Sequence, residues 1–311
     1  MADAGHKIGL IEKENRLFRK ASIVNQARLH SGYHYPRSVA TAIMSDDNKA
    51  RFTSDHRNFI NFEFEKFYAI DRFGSLTDAA QFERFCAYVD IQCEPVARHP
   101  LFNYHRLESL YKTQEYTFDP ILIAKYYQQR LFDHERITIH FNTRINAAEI
   151  TNEEWKISAN TLSSDDSVVF RSPNVINATY AGSNGINRIF GVPDINLMHE
   201  ISEMAFVTSP QFRDKGLTVM DGQFGSLMPY GKSDLLSLSS VAYTHHKVSY
   251  DNIPQFDCMN HNPNCKPDFI SICNNCPVRP RSNYHKMLAQ IKQYFSDQVV
   301  LNYYTSMFTV K

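Results

Sequence analysis

The apolar run Ile8-Gly-Leu-Ile11, closed by Glu12 and preceded by the helix-stop pair Ala4-Gly5, constrains the fold more than any other stretch. A short unbroken run of this kind reads as a buried strand. A buried strand needs an interior, and 43% hydrophobic against 21% charged residues in 311 supplies one of about two subdomains. That composition excludes disorder. Lys and Arg number 33 and Asp and Glu 33, so the net charge is zero and nucleic acid is not an expected partner. No apolar stretch reaches the roughly 18 residues that cross a bilayer, and the start lacks a basic region followed by an apolar one. The expectation is a cytoplasmic chain.

Downstream, the polar segment 21–38 is punctuated by Gly32 and Pro36 and reads as a loop with a short helix. Phe52, Phe59 and Phe62 or Phe64 recur at near-helical spacing between 46 and 68, predicting a helix. Thr77-Asp78 caps a second helix with Phe82, Phe85, Cys86 and Val89 on one face. Residues 88–117 are strand-like. Asp119-Pro120 opens a third helix with the stripe Ile121, Ala124, Tyr127 and Leu131. Alternation at Ile137, Ile139 and Phe141, again at Trp155, Ile157 and Ala159, then Val168-Val-Phe170 and Val175-Ile176, predicts a meander of strands. A second β-rich stretch spans 206–250. A Pro-, Asn- and Cys-rich loop covers 252–281, and a last amphipathic helix carries Met287, Leu288, Ile291, Tyr294 and Phe295.

Several of these stretches go together. They are Ile8-Gly-Leu-Ile-Glu12, Ala21-Ser22, Asn25-Gln-Ala-Arg-Leu-His30 and His34-Tyr-Pro-Arg37, with Phe141-Asn-Thr-Arg-Ile145, Val175-Ile-Asn-Ala-Thr-Tyr-Ala181 and the strand from Met220 to Tyr230. In this order they resemble the FAD-dependent oxidoreductases of the D-amino acid oxidase type, which include glycine oxidase and sarcosine oxidase-like enzymes. The resemblance implies an α/β fold with an incomplete Rossmann-type FAD-binding domain, 1–45 and 119–190. It also implies a β-rich substrate domain, 46–118 and 191–311, carrying the Cys-rich insertion 252–281. By the same resemblance Glu12 holds the adenosine ribose, because a carboxylate accepts from two vicinal hydroxyls. Ile145 lies beside the adenine, and Ser22, Arg28, His30, Gly32, Ala178 and Thr179 line the rest of the cofactor. Arg37 and Tyr230 are implied substrate contacts. Tyr33, His34 and Tyr230 are the candidates nearest the chemistry, which passes a hydride from a small amine or amino-acid-like substrate to flavin, and no catalytic residue is assigned.

Two departures stand out. The Gly-x-Gly-x-x-Gly turn belongs about 20 residues before the ribose acid, and Glu12 has too few residues ahead of it. Tyr180 stands where the resembling segment has glycine. The expectation is a family member truncated at both ends, with a non-catalytic remnant or a zinc-stapled interaction module as the alternative. Zinc enters through Cys258-x6-Cys265-x7-Cys273-x2-Cys276, with His261 and His285 nearby. Four soft ligands suffice for a tetrahedral site, although only Cys273-x-x-Cys276 has knuckle spacing, and free thiols are the other reading.

Overall fold

The computed structural model describes residues 1–164 and 166–311. The first strand, β1 (Ile8–Ile11), is followed by a long irregular segment that yields only β2 (Arg28–Leu29). The short helix expected within 21–38 does not form. Ala27 and Gly32 take left-handed backbone angles, and the Asn25 side chain accepts from the Ala27 amide at 2.7 Å, so local side-chain bonding replaces the helical ladder.

Helix α1 (Val39–His56) begins before the aromatic spacing predicts and ends short of Phe59. Beyond it, β3 (Ile60–Asn61) and β4 (Glu65–Asp71) take Phe62 and Phe64 out of any helix. The spacing misled because aromatic residues also favour strands, and from Lys66 to Asp71 every β4 residue is buried. Helix α2 (Ala79–Tyr88) starts where Asp78 forms a capping box with Gln81, and it buries Phe82, Phe85 and Cys86 as expected. Then come β5 (Cys93–Pro95), β6 (Leu107–Thr113) and β7 (Tyr116–Phe118). Helix α3 (Pro120–Asp133) has proline in its first turn, and the Asp119 carboxylate accepts from the Ile121 and Leu122 amides.

The next strands are β8 (Ile137–His140), β9 (Thr143–Thr151), β10 (Glu154–Thr161) and β11 (Ser167–Ser172). Only the last three form the antiparallel meander, because β8 pairs in parallel with β1, Ile8 opposite Ile137. Val175-Ile176 is not a strand. The Asn177 amide there bonds the Ser183 carbonyl and the Asn187 side chain, folding the chain back toward α4 (Ser183–Ile189).

The remaining strands are β12 (His199–Thr208), β13 (Lys215–Met220), β14 (Gly225–Pro229), β15 (Leu236–Ser240) and β16 (His245–Ser249). Helix α5 (Tyr284–Lys292) and β17 (Asn302–Val310) close the chain. Tyr294 and Phe295 fall just past α5 yet stay buried.

A nine-stranded sheet runs β16-β12-β15-β14-β13-β4-β6-β5, with β17 also on β12. Its two halves, one from residues 65–113 and one from 199–310, meet at the parallel pair β4–β13. One face packs Phe67, Leu110, Leu217 and Leu227 against Met287 and Ile291 of α5. The other packs Tyr68, Ile70, Tyr111 and Met220 against Tyr33 and α2. Each such side chain gains about 1.5–3 kcal/mol on burial. A small sheet, β2-β7-β3, fixes the 21–38 loop over this second face. Among the described residues, no helix is long and apolar enough to cross a membrane.

Candidate functional site

The first group of predicted residues lies at the carboxyl end of β1. The Glu12 amide donates to the His140 carbonyl, extending the parallel pair by one residue, and the Glu12 carbonyl accepts from the Thr143 amide at 3.1 Å. The half-buried Glu12 carboxylate accepts from the Glu14 amide at 2.9 Å through Oε1, and its second oxygen has no hydrogen bond among the described residues. Ile145 follows on β9, half-buried opposite Ala159. Ala178 and Thr179 are exposed, the Thr179 hydroxyl bonding Asn177. Tyr180, which stands where the resembling segment has glycine, has φ +55°, a left-handed backbone that a glycine takes freely. Beside Glu12, the Lys13 and Lys20 ammoniums both donate to the Ile270 carbonyl, which anchors the Cys-rich segment here. Burial, then the neighbouring Lys20, lowers Lys13 to about 7.

The second group forms where the 21–38 loop meets the nine-stranded sheet. Arg28 on β2 is buried, and its Nη2 donates to Ser226 Oγ at 2.5 Å while Nη1 stands 3.4 Å from His34 Nδ1. Its Nε lies 3.5 Å from Oε2 of Glu115, a carboxylate with no exposed surface in the turn between β6 and β7. Glu115 accepts from the Tyr68 hydroxyl at 2.7 Å, with Lys66 Nζ at 4.0 Å and His30 Nδ1 at 3.6 Å. Lys66 itself donates to Thr218 Oγ1 and Met228 Sδ. Burial opposes ionisation of Glu115, but Arg28, His30 and Lys66 together hold its carboxyl well below the usual range. Burial, then Arg28, pushes Lys66 well below the usual lysine range. Among the described residues, Arg28 Nε, His30 Nδ1, Ser31 Oγ and Glu115 Oε1 are buried without a hydrogen bond. That concentration of unmet polar groups is uncommon in a folded interior.

The other predicted residues hold the loop down. Tyr33 is buried, donates to the Gln92 carbonyl at 2.6 Å, and its ring lies tilted 5.4 Å from Tyr68. Gly32 has φ +91°, and a Cβ there would lie 3.1 Å from the Ala42 carbonyl oxygen. Tyr230 is buried with its hydroxyl on the Ile23 carbonyl at 2.6 Å and its ring edge-on to Phe206. Arg37 is exposed and paired with Asp221 at 2.5 Å. Ser22 is exposed in a turn, its carbonyl accepting from Asn25.

The structure therefore brings Arg28 and His30 together on Glu115, with His34 beside Arg28, and joins Glu12 to Thr143 at the strand end. Reading the sequence missed Glu115, Lys66, Tyr68 and Ser226. Lys66 could have been found, since a lysine flanked by Phe64 and the apolar run Phe67-Tyr-Ala-Ile70 must either be paired or lie at an edge.

Burial, then Arg28, lowers His34 to about 4, so this ring is neutral at pH 7. The unfolded ring titrates at 6.5, so the folded state binds fewer protons between these values. Its contribution to stability should be full above about pH 6.5 and be lost as pH falls toward about 4. A proton NMR titration assigned with His34→Gln checks this, and a ring that protonates near 6.5 would contradict it.

The zinc expectation is not sustained. Cys258, Cys265, Cys273 and Cys276 line one small cavity together with Ile201, Phe256 and Val310. They do not converge on a point: among the described residues no three His, Cys, Asp or Glu side chains are arranged to hold a metal ion. Instead the Ser271 amide bonds the Cys265 sulfur and the Asn262 amide the Cys276 sulfur, as in a packed thiol cluster. All six cysteines are free.

No family profile matches the chain. A 74-residue stretch, 24% of the chain, is 35% identical to an FAD-dependent monooxygenase, FPY4, of Fusarium mangiferae, and spans only 20% of that protein. Glycine oxidase from Geobacillus kaustophilus superposes on 100% of this chain and 77% of its own, with TM-score 0.68 at 11% identity. L-α-glycerophosphate oxidase from Mycoplasma pneumoniae, solved with FAD bound, matches 99% of this chain and 78% of its own at TM-score 0.63 and 12% identity. L-amino acid deaminase from Proteus vulgaris gives 99% and 78%, TM-score 0.63 and 10% identity. With β1 and β8 paired in parallel, a meander beside them and one large mixed sheet, the chain has the fold of the FAD-dependent oxidoreductases of the D-amino acid and glycine oxidase type.

Proposed function

We propose that this chain is an FAD-dependent oxidoreductase acting on a small amine or amino-acid-like molecule. The superposition of the whole chain on glycine oxidase supports the reading, because that fold is shared with L-α-glycerophosphate oxidase, solved with FAD bound.

The chain's own donor set suits that cofactor. Glu12 keeps a carboxylate oxygen free at a strand end, where ribose hydroxyls would donate. Ile145 offers an apolar edge for the adenine. Ser22, Gly32, Ala178 and Thr179 complete the proposed contacts, and Arg28 Nε and His30 Nδ1 are buried groups still lacking a hydrogen bond. A bound flavin supplies the hydride acceptor. The protein's part is orientation: Glu115 keeps Arg28 in place, Tyr230 and Tyr33 pin the loop that keeps water out, and Arg37 or Tyr230 meets the substrate. The matching domain division, 1–45 and 119–190 for the cofactor and 46–118 and 191–311 for the substrate, is supported by the separation of the β1–β8 and β9–β11 sheets from the nine-stranded one.

Titrating FAD into the purified chain, followed by flavin fluorescence, tests the reading. Binding should saturate, and Glu12→Gln should weaken it about tenfold, or about 1.4 kcal/mol. Absence of binding by the unaltered chain would sink the proposal and leave a non-catalytic protein.

A further inference from the structure

Two of the free cysteines stand apart from the cluster between 258 and 276. Cys86 lies on the buried face of α2 and is 1% exposed, while Cys93 opens β5, half-buried against the same core. The chain between them doubles back, since the Ile91 amide bonds the Cys86 carbonyl at 3.0 Å and Asp90 takes a left-handed φ of +56°. That turn brings the two thiols into hydrogen-bonding contact. Both ends of the turn are fixed from outside it. Phe82 and Phe85 anchor α2 in the core, β5 pairs with β6 with Cys93 opposite Thr113, and Gln92 accepts the Tyr33 hydroxyl at 2.6 Å. The sulfurs are therefore held as neighbours by the fold, which favours a bond between them over one to a distant thiol.

We propose that Cys86 and Cys93 are a redox modification site, closed into a disulfide by a small-molecule disulfide such as oxidised glutathione. The site goes beyond the flavin chemistry proposed above and needs no cofactor. Solvent reaches Cys93 but not Cys86, so the Cys93 thiolate attacks one glutathione sulfur, forming a mixed disulfide and expelling a glutathione thiolate. Cys86, deprotonated in turn, attacks the Cys93 sulfur, forming the Cys86–Cys93 bond and expelling the second glutathione. Two cysteine thiols lose two electrons and two protons, and the oxidant's S–S bond takes up both electrons to yield two thiols. Hydrogen bonding to Cys93, then burial, raises the Cys86 thiol in the reduced protein. Capping Cys93 as a neutral mixed disulfide removes the part that comes from Cys93, leaving burial and Glu83, so the first step eases the second. The finished bridge ties the end of α2 to the outermost strand of the large sheet.

Oxidation of the folded, purified chain with oxidised glutathione, then acid quenching, denaturation, alkylation and tryptic mass mapping, tests this. Residues 85–98 form one tryptic peptide with both cysteines, because no Lys or Arg lies between Arg84 and Arg98. That peptide should lose two hydrogens and all alkylation, and dithiothreitol should restore alkylation at both positions. Cys86→Ala should stop the reaction at a glutathione adduct on Cys93, and Cys93→Ser should leave Cys86 a free thiol. Cys86→Ala empties a buried position and risks the fold, so the result on the unaltered chain is decisive by itself. Two alkylated cysteines after oxidation, or a bridge from either one to the 258–276 cluster, would overturn the site, as would an unmodified Cys93 in folded Cys86→Ala.

Discussion

Glu115→Ala should cost about 3–5 kcal/mol, because it leaves a buried arginine and lysine with no counter-charge. The carboxylate has no exposed surface, and its Oε2 serves the Tyr68 hydroxyl and Arg28 at once. Urea denaturation monitored by circular dichroism would register the loss as a lower midpoint. Glu115→Gln separates charge from shape: it can still accept from Tyr68 but cannot balance Arg28, so most of the loss should remain. The pH dependence has a definite sign. The folded carboxyl is held below its ordinary range, so its contribution is present above about pH 4.3 and is lost as pH falls toward the folded value. Glu115→Gln should therefore flatten the acid side of the stability profile. A glutamine variant within about 1 kcal/mol of the unaltered chain would mean that the buried pair adds no net stability.

Gly231→Ala should cost about 2–4 kcal/mol, combining a left-handed backbone with overpacking. Gly231 has φ +61°, and a Cβ there would lie 2.5 Å from the Cα of Asp119, a backbone atom with no rotamer to escape by. The contact is consequential because Asp119 works in two directions. One oxygen caps α3, and the other accepts from the Lys232 amide at 3.0 Å in the turn after β14. Pushing the turn away from α3 also shifts Tyr230, which immediately precedes it and holds Ile23 of the loop. Thermal unfolding and FAD titration of the same variant should both move; a variant as stable as the unaltered chain would show that the turn yields without penalty.

Local signals in the sequence located what short-range chemistry determines. Asp78 and Asp119-Pro120 begin their helices where a side-chain acceptor can meet amides two or three residues on. Ile8–Ile11 is a strand, as its apolar run indicates. Long-range pairing was another matter. Nothing in the alternation of Ile137 and Ile139 distinguishes a parallel partner for β1 from the first strand of a meander, and only the fold decides it. The start of α1 was hidden because the aromatic residues between 52 and 64 divide between a helix and strands. For the candidate site, the resemblance singled out Arg28, His30 and His34, which the structure gathers around one buried cluster. Glu115 escaped because a lone glutamate before Tyr-Thr-Phe looks solvated until a tertiary neighbour supplies Arg28 and Lys66.

The join between β4 and β13 sets a schedule for biosynthesis. When β4 and β6 leave the ribosome, the strand that completes their sheet has not been made, and the open side of β4 carries unpaired amides between fully buried side chains. Such an edge recruits other strands, so a nascent chain of this topology benefits from chaperone shielding until residue 220 has emerged. Closure then links segments distant in sequence, an order of events associated with slow folding.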